Sequence, residues 1–192
     1  MAELLDRTGP ASAAPAAEPE VMPHAGTEIR VLEAVQQSLA TPQVVGTARA
    51  MSLFGEHAAG WLALGLIGAA VDRERRRDWL TAAAGVAFAH GASIGVKRVV
   101  RRRRPDHPSV QVLVGTPSKL SFPSAHATST TAAAVLYGRL LGTPLTAAVV
   151  PPMALSRLVL GVHYPSDVAV GSALGAAVAL LTSRLTRRED AR

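Results

Sequence analysis

The chain contains no cysteine, which excludes a disulfide framework, a thiolate metal site and a cysteine nucleophile, and leaves the redox compartment unreadable. Aromatic residues make up only 4% of the 192 positions. The stacking platforms that hold single-stranded nucleic acid are therefore lacking, and no nucleic-acid partner is expected. Carboxylates are outnumbered, 14 Asp plus Glu against 20 Lys plus Arg, giving a formal net charge of +6 and a pI near 10.9. That balance points to an anionic partner. The polar motifs also offer too few carboxylate oxygens for a hard cation, so neither a metal nor another cofactor is expected. Histidine, serine and the scattered carboxylates remain as candidate chemistry.

What the chain does have is apolar surface: 48% of residues are hydrophobic and the mean hydropathy is +0.23, high for a water-soluble domain of this size. Residues 1–26 are rich in Ala, Pro and Glu and lack the apolar segment of a signal peptide, so they read as a disordered tail. From Thr27, Ile29, Leu32, Val35 and Leu39 fall on one helical face, which predicts an interfacial amphipathic helix ending before Pro42. Five apolar stretches follow, about Gly55–Val71, Asp78–Val96, Ser124–Leu141, Pro144–Leu160 and Pro165–Leu181. Each approaches the roughly 20 helical residues that a bilayer core requires. The first stretch has an alternative start near Thr47, which would draw Glu56 and His57 inward. The expectation is an all-α, multi-pass transmembrane helical bundle of about five spans over residues 27–183, with a basic C-terminal tail at 184–192. Its small residues, including Gly171-xxx-Gly175, suit close helix packing in lipid.

Five crossings return the loops Lys97–Pro123 and Ser156–Tyr164 to one face. On that face lie "KRVVRRRRP" (Lys97 to Pro105), "PSAH" (Pro123 to His126) and "SRLVLGVHYPSD" (Ser156 to Asp167). Guanidinium and ammonium groups suit phosphate oxygens. Ser124 is placed to cap a helix whose free N–H groups form an anion site. Pro165 at the start of the last helix leaves Asp167 able to reach back to His163, fixing its tautomer and raising its basicity. His163 therefore reads as a nucleophile, and His126 as a general acid for the leaving oxygen.

The spacings K-x6-R-P, P-S-x-H and S-R-x5-H-x3-D, in that order, resemble the three-part signature of the type 2 phosphatidic acid phosphatase superfamily. The resemblance implies a membrane phosphatase in which Lys97, Arg104 and Arg157 bind the phosphate with help from Ser124, His163 attacks phosphorus, His126 protonates the leaving group and Asp167 supports His163. Ala125 departs from the glycine more usual there but keeps its N–H, which implies a slightly tighter fit with intact chemistry. Arg102, Ala125, His90 and Glu56 are further candidate substrate contacts, whereas Arg101 and Arg103 are expected in solvent. "SLFGEH", "RRRRPDHP" and "LSFPSAHATSTTAAA" resemble, more narrowly, the actinobacterial lipid phosphatases of cell-wall arabinan synthesis. That implies a polyprenyl phosphodiester carrying a ribose 5-phosphate as substrate. Undecaprenyl diphosphate, phosphatidylglycerol phosphate and phosphatidic acid are the alternative substrates, and a haloperoxidase-like or noncatalytic lipid-binding relative is the alternative class. Arginines in short loops or beside span ends on the other face, at 73, 75, 76, 77 and 139 and again from 184, predict that the noncatalytic face is cytoplasmic and that the site opens to the outside of the plasma membrane.

Overall fold

The computed structural model describes residues 23–190; most of the expected disordered tail, residues 1–26, lies outside them. Seven α-helices follow in order: α1 (Pro23–Leu39), α2 (Pro42–Gly55), α3 (Ala59–Val71), α4 (Arg76–Val100), α5 (Ala125–Leu141), α6 (Leu145–Val159) and α7 (Pro165–Asp190). Their boundaries have local causes. Thr41 caps α2, its hydroxyl accepting from the Val44 N–H, and Pro42 takes the first turn, where the missing N–H costs nothing. Ser124 caps α5, accepting from the Ala127 N–H at 3.4 Å, and Gly142, in the left-handed region at φ 64°, ends it.

The interior is built from small residues, and the large apolar ones face outward. Leu66, Ile67, Phe88, Leu180 and Leu181 are exposed, while Ala82, Ala89, Ala132, Ala133 and Ala179 are buried around Trp61, Trp79 and Tyr137. This inversion of the water-soluble pattern suits lipid-facing helices, which associate through close packing and interhelical hydrogen bonds. Helix α7 lies so tightly on α5 that a Cβ at Gly171 would come within 2.6 Å of the Ser124 carbonyl oxygen, and one at Gly175 would strike the Thr128 carbonyl. Two buried polar pairs tie the helices together: Trp61 Nε1 donates to Thr130 Oγ1 at 3.0 Å and Tyr137 Oη to the Trp61 carbonyl at 2.9 Å.

Among the described residues, three helical units are long and apolar enough to cross a membrane: Pro42–Val71, Arg76–Val100 and Pro165–Leu185. Helices α5 and α6 run beside them with 17 and 15 residues. The first unit starts earlier than Gly55 and is broken. A 3₁₀ turn at Glu56–Ala58, with His57 at φ 49° and Ala58 at φ 60°, separates α2 from α3. Residues 184–190, expected as a tail, continue α7 as helix. The amphipathic helix is present as α1, but its apolar face is covered by protein: Ile29 and Leu32 are buried against Val110, Leu158 and Tyr164.

Candidate active site

Four helix ends meet at one face of the bundle: the C-terminal ends of α4 and α6 and the N-terminal ends of α5 and α7. The long loop between α4 and α5 folds back over them. Its two limbs pair through the Ser121 N–H on the Arg102 carbonyl at 2.8 Å and the Arg104 N–H on the Lys119 carbonyl at 3.2 Å. Gln36 on α1 clasps the loop, accepting from the Gln111 N–H at 2.9 Å and donating to the Gln111 carbonyl at 2.7 Å. Gly161, at φ 67°, sits where a Cβ would collide with that same carbonyl. Both the turn and the close approach therefore require glycine.

A cavity of about 310 Å³ opens beneath the loop, and Lys97, Arg104, Arg157, His126 and His163 all line it. His163 is 3% exposed and Arg157 2%, so their charges and lone pairs act in a medium where electrostatic interactions are strong. His163 Nε2 stands 3.2 Å from Arg104 Nη1. The same Nη1 donates to the Val162 carbonyl at 2.6 Å, and Nε donates to the Ser118 carbonyl at 2.8 Å, so the guanidinium is held beside the imidazole. Nδ1 faces Asp167 Oδ2 at 3.5 Å, which assigns the proton to Nδ1 and the lone pair to Nε2. Burial pushes His163 down to about 4; the Asp167 carboxylate opposes that shift, and Arg104 and Lys97 add to it. At neutral pH the ring is uncharged and nucleophilic.

Lys97 donates to the Leu120 and Ser121 carbonyls at 3.0 and 3.3 Å, which uses two of its three N–H donors. Arg157 donates from Nη1 to Ser52 Oγ at 3.0 Å and from Nε to Ser156 Oγ at 3.2 Å. His126 Nε2 bonds the Ser52 carbonyl at 2.9 Å, leaving Nδ1 as the nitrogen free for proton transfer. Ser52 thus fixes Arg157 through its hydroxyl and His126 through its carbonyl. It was not singled out from the sequence, although it opens the quoted "SLFGEH"; its partners lie more than a hundred positions away for Arg157 and 74 for His126.

The remaining expected contacts divide. Glu56, His90 and Ala125 line the cavity, together with His57, whose ring centroid is 6.3 Å from that of His90. The helix break delivers Glu56 and His57 there. Ser124 is fully buried as the α5 cap; its N–H donates to the Asp167 carbonyl at 2.9 Å, and it does not line the cavity. Arg102 corrects the expectation: it does not face the cavity but lies behind it, with Nη1 donating to Asp167 Oδ1 at 3.0 Å and Nη2 to Glu28. Arg101 and Arg103 are exposed. Among the described residues no three His, Asp or Glu side chains stand together as a metal site would need.

Residues 78–190, which carry the three polar clusters between Lys97 and Asp167, match the family model of the PAP2 superfamily. The chain belongs to that superfamily. The PAP2 assignment makes it a membrane phosphatase, a hydrolase of phosphate monoesters. It is 61% identical over 152 residues to the decaprenylphosphoryl-5-phosphoribose phosphatase of Mycobacterium tuberculosis, covering 79% of this chain and 86% of that one. The protein of the same name from Mycolicibacterium smegmatis is 61% identical over 145 residues, covering 75% and 81%. The fold is similar to the crystal structure of the transmembrane PAP2-type phosphatidylglycerolphosphate phosphatase from Bacillus subtilis, with a TM-score of 0.69 at 22% identity, covering 86% of this chain and 89% of that one.

Proposed function

We propose that this PAP2 phosphatase hydrolyses the 5-phosphate of decaprenylphosphoryl-5-phosphoribose, through a phosphohistidine at His163, to give decaprenylphosphoryl-ribose for arabinan precursors of the cell wall. The observation that carries the chemistry is the placement of His163 Nε2 against Arg104, 3.2 Å away, in a cavity shared with Lys97, Arg157 and His126. Nε2 attacks phosphorus as the ester P–O bond breaks, and His126, protonated once the phosphate anion is bound beside it, gives its proton to the departing ribose oxygen. Water then attacks phosphorus as the N–P bond breaks, with His126 taking a proton from that water, and inorganic phosphate and free His163 are released. The cations lie where charge accumulates on the equatorial oxygens in the transition state. Ser124 acts on this site indirectly, by capping α5 and holding the Asp167 backbone.

Support for the ribose-phosphate substrate comes from the two mycobacterial relatives and from the rest of the cavity. Glu56 and the His57–His90 pair offer acceptors and donors for ribose hydroxyls, and Arg98, also on the cavity wall, suits a second, diester phosphate. A competition among decaprenylphosphoryl-5-phosphoribose, undecaprenyl diphosphate, phosphatidylglycerol phosphate and phosphatidic acid, read by mass spectrometry with purified enzyme, should give the highest kcat/KM for the first. Neutralising Arg98 or Glu56 should erase the preference while sparing an aryl phosphate. Preferential hydrolysis of any of the other three lipids overturns the substrate and leaves the phosphohistidine chemistry standing.

The orientation follows from charge. Arg73, Arg75, Arg76, Arg77, Arg139 and Arg184 lie at helix ends opposite the site, and on the catalytic face Arg102 and Arg104 are engaged by internal partners. By the positive-inside rule the opposite face is cytoplasmic and the site opens outward from the plasma membrane. In this cysteine-free chain, Lys119→Cys on the exposed loop should react with an impermeant maleimide in intact cells. Labelling only after permeabilisation reverses the orientation.

A further inference from the structure

Behind His163 lies a chain of charges that begins on the first helix. Glu28 on α1 accepts from Arg102 Nη2 through Oε2 and from the Ser166 N–H through Oε1 at 2.9 Å. Arg102 Nη1 donates to Asp167 Oδ1 at 3.0 Å and to Ser166 Oγ at 2.6 Å, and its guanidinium lies 3.9 Å from the centroid of the Tyr164 ring. Asp167 Oδ2 accepts from the Tyr164 N–H at 2.8 Å and faces His163 Nδ1. The side chain of Asp167 is fully buried, and those of Glu28 and Arg102 are only 17% and 28% exposed. Each acceptor oxygen of the two carboxylates thus has a defined partner, so the three side chains have one mutually consistent arrangement. None of the three lines the cavity.

We propose that Glu28 and Arg102 are positioning residues for the nucleophile: Arg102 clamps the Asp167 carboxylate toward His163, and Glu28 cancels the charge that Arg102 brings. The inference rests on His163 being the nucleophile. Its physical content is a sum of charges. Arg102 alone would neutralise Asp167 and leave His163 with no net negative charge behind it; adding Glu28 restores a net charge of −1. That charge stabilises the cationic ring formed when Nε2 takes the phosphoryl group while Nδ1 keeps its proton. The other charged or titratable groups facing His163 are Arg104 from the loop, Lys97 from α4 and His126 from α5. They are unchanged by substitutions at 28 or 102. Asp106 acts on Tyr164 from the loop side.

A group that only braces the fold would shift melting temperature and nothing specific; charge compensation makes two substitutions act with opposite sign. Glu28→Gln keeps the shape and removes the charge, so His163 should become less basic. Arg102→Gln leaves two carboxylates facing each other behind the ring, so His163 should become more basic. The shifts can be read from the imidazole ¹⁵N resonances of purified enzyme in detergent across pH, and in parallel from the acid limb of kcat/KM, where the titration of the substrate phosphate is common to all variants. For Glu28→Gln, kcat should fall by about tenfold or more with KM held within about twofold, the size of loss usual for a group that orients a first partner. Glu28→Asp and Arg102→Lys, which preserve charge, should recover most of kcat and provide a second pair should either neutral variant fail to fold. Shifts of the same sign, no shift, or a change confined to KM overturn the inference. Activity retained by His163→Ala would instead overturn the phosphohistidine reading on which it rests.

Discussion

His163→Ala should lower kcat on the lipid substrate by roughly 10⁴-fold or more, in line with losing the nucleophile of a group that acts as a unit, and should abolish the acid-labile phosphoenzyme trapped by rapid quenching. The expectation follows from burial and isolation. Two cavity-lining histidines have a carboxylate 3.5 Å from Nδ1, but His57 and its Glu56 are open to solvent, whereas His163 and its Asp167 are buried. An activated aryl phosphate should not rescue this variant, because a better leaving group cannot replace the atom that attacks. Phosphoenzyme persisting in His163→Ala would move the nucleophile elsewhere.

The other large effect separates the second histidine from the first. His126 is fixed through Nε2 by the Ser52 carbonyl at 2.9 Å, which leaves Nδ1 for the proton transfer proposed above. His126→Ala should cost about 10²- to 10⁴-fold with the alkoxide leaving group of a lipid-linked sugar. With p-nitrophenyl phosphate, whose leaving oxygen needs no proton, the loss in the phosphorylation step should shrink by at least about tenfold. Phosphoenzyme should still form on His163. Equal losses on both substrates would remove His126 from the role of general acid. Arg157, which shares Ser52 with His126, provides the contrast: Arg157→Ala should raise KM and lower kcat with either substrate, since it addresses the phosphate that both have in common.

The helical spans were legible because lipid imposes a length and an apolarity on each of them, and because their ends carry local punctuation in Pro42, Ser124, Gly142 and Pro165. The motif residues were legible because each cluster sits at one helix end, where sequence neighbours are also spatial neighbours. Two things were hidden. One was which way each residue of the four-arginine run points. The extended segment after Arg101, itself in the left-handed region at φ 55°, alternates, so Arg102 and Arg104 turn in while Arg101 and Arg103 stay exposed. That period of two separates partners from solvated neighbours but does not say that Arg102 passes behind Asp167. The other was long-range pairing: nothing near Glu28 or Ser52 announces a partner 74 or 105 positions away. Such contacts exist only after α1 and α2 have docked on α6 and α7.

The seating of α7 on α5 has a bearing on how the protein comes to be active in the cell. The Ser124 N–H is held by the Asp167 carbonyl, and Gly171 and Gly175 let the last helix settle against the backbone of α5. Asp167 itself arrives with that helix. During synthesis, a chain that has inserted its earlier helices already carries Lys97, Arg104, His126 and Arg157. Until α7 leaves the insertion machinery, however, His163 has neither its carboxylate nor a closed wall around it. Competence therefore waits on the final helix. Truncation within α7 should abolish phosphate release even where Asp167 is retained, because the packing of Gly171 and Gly175 on α5 that seats it is lost.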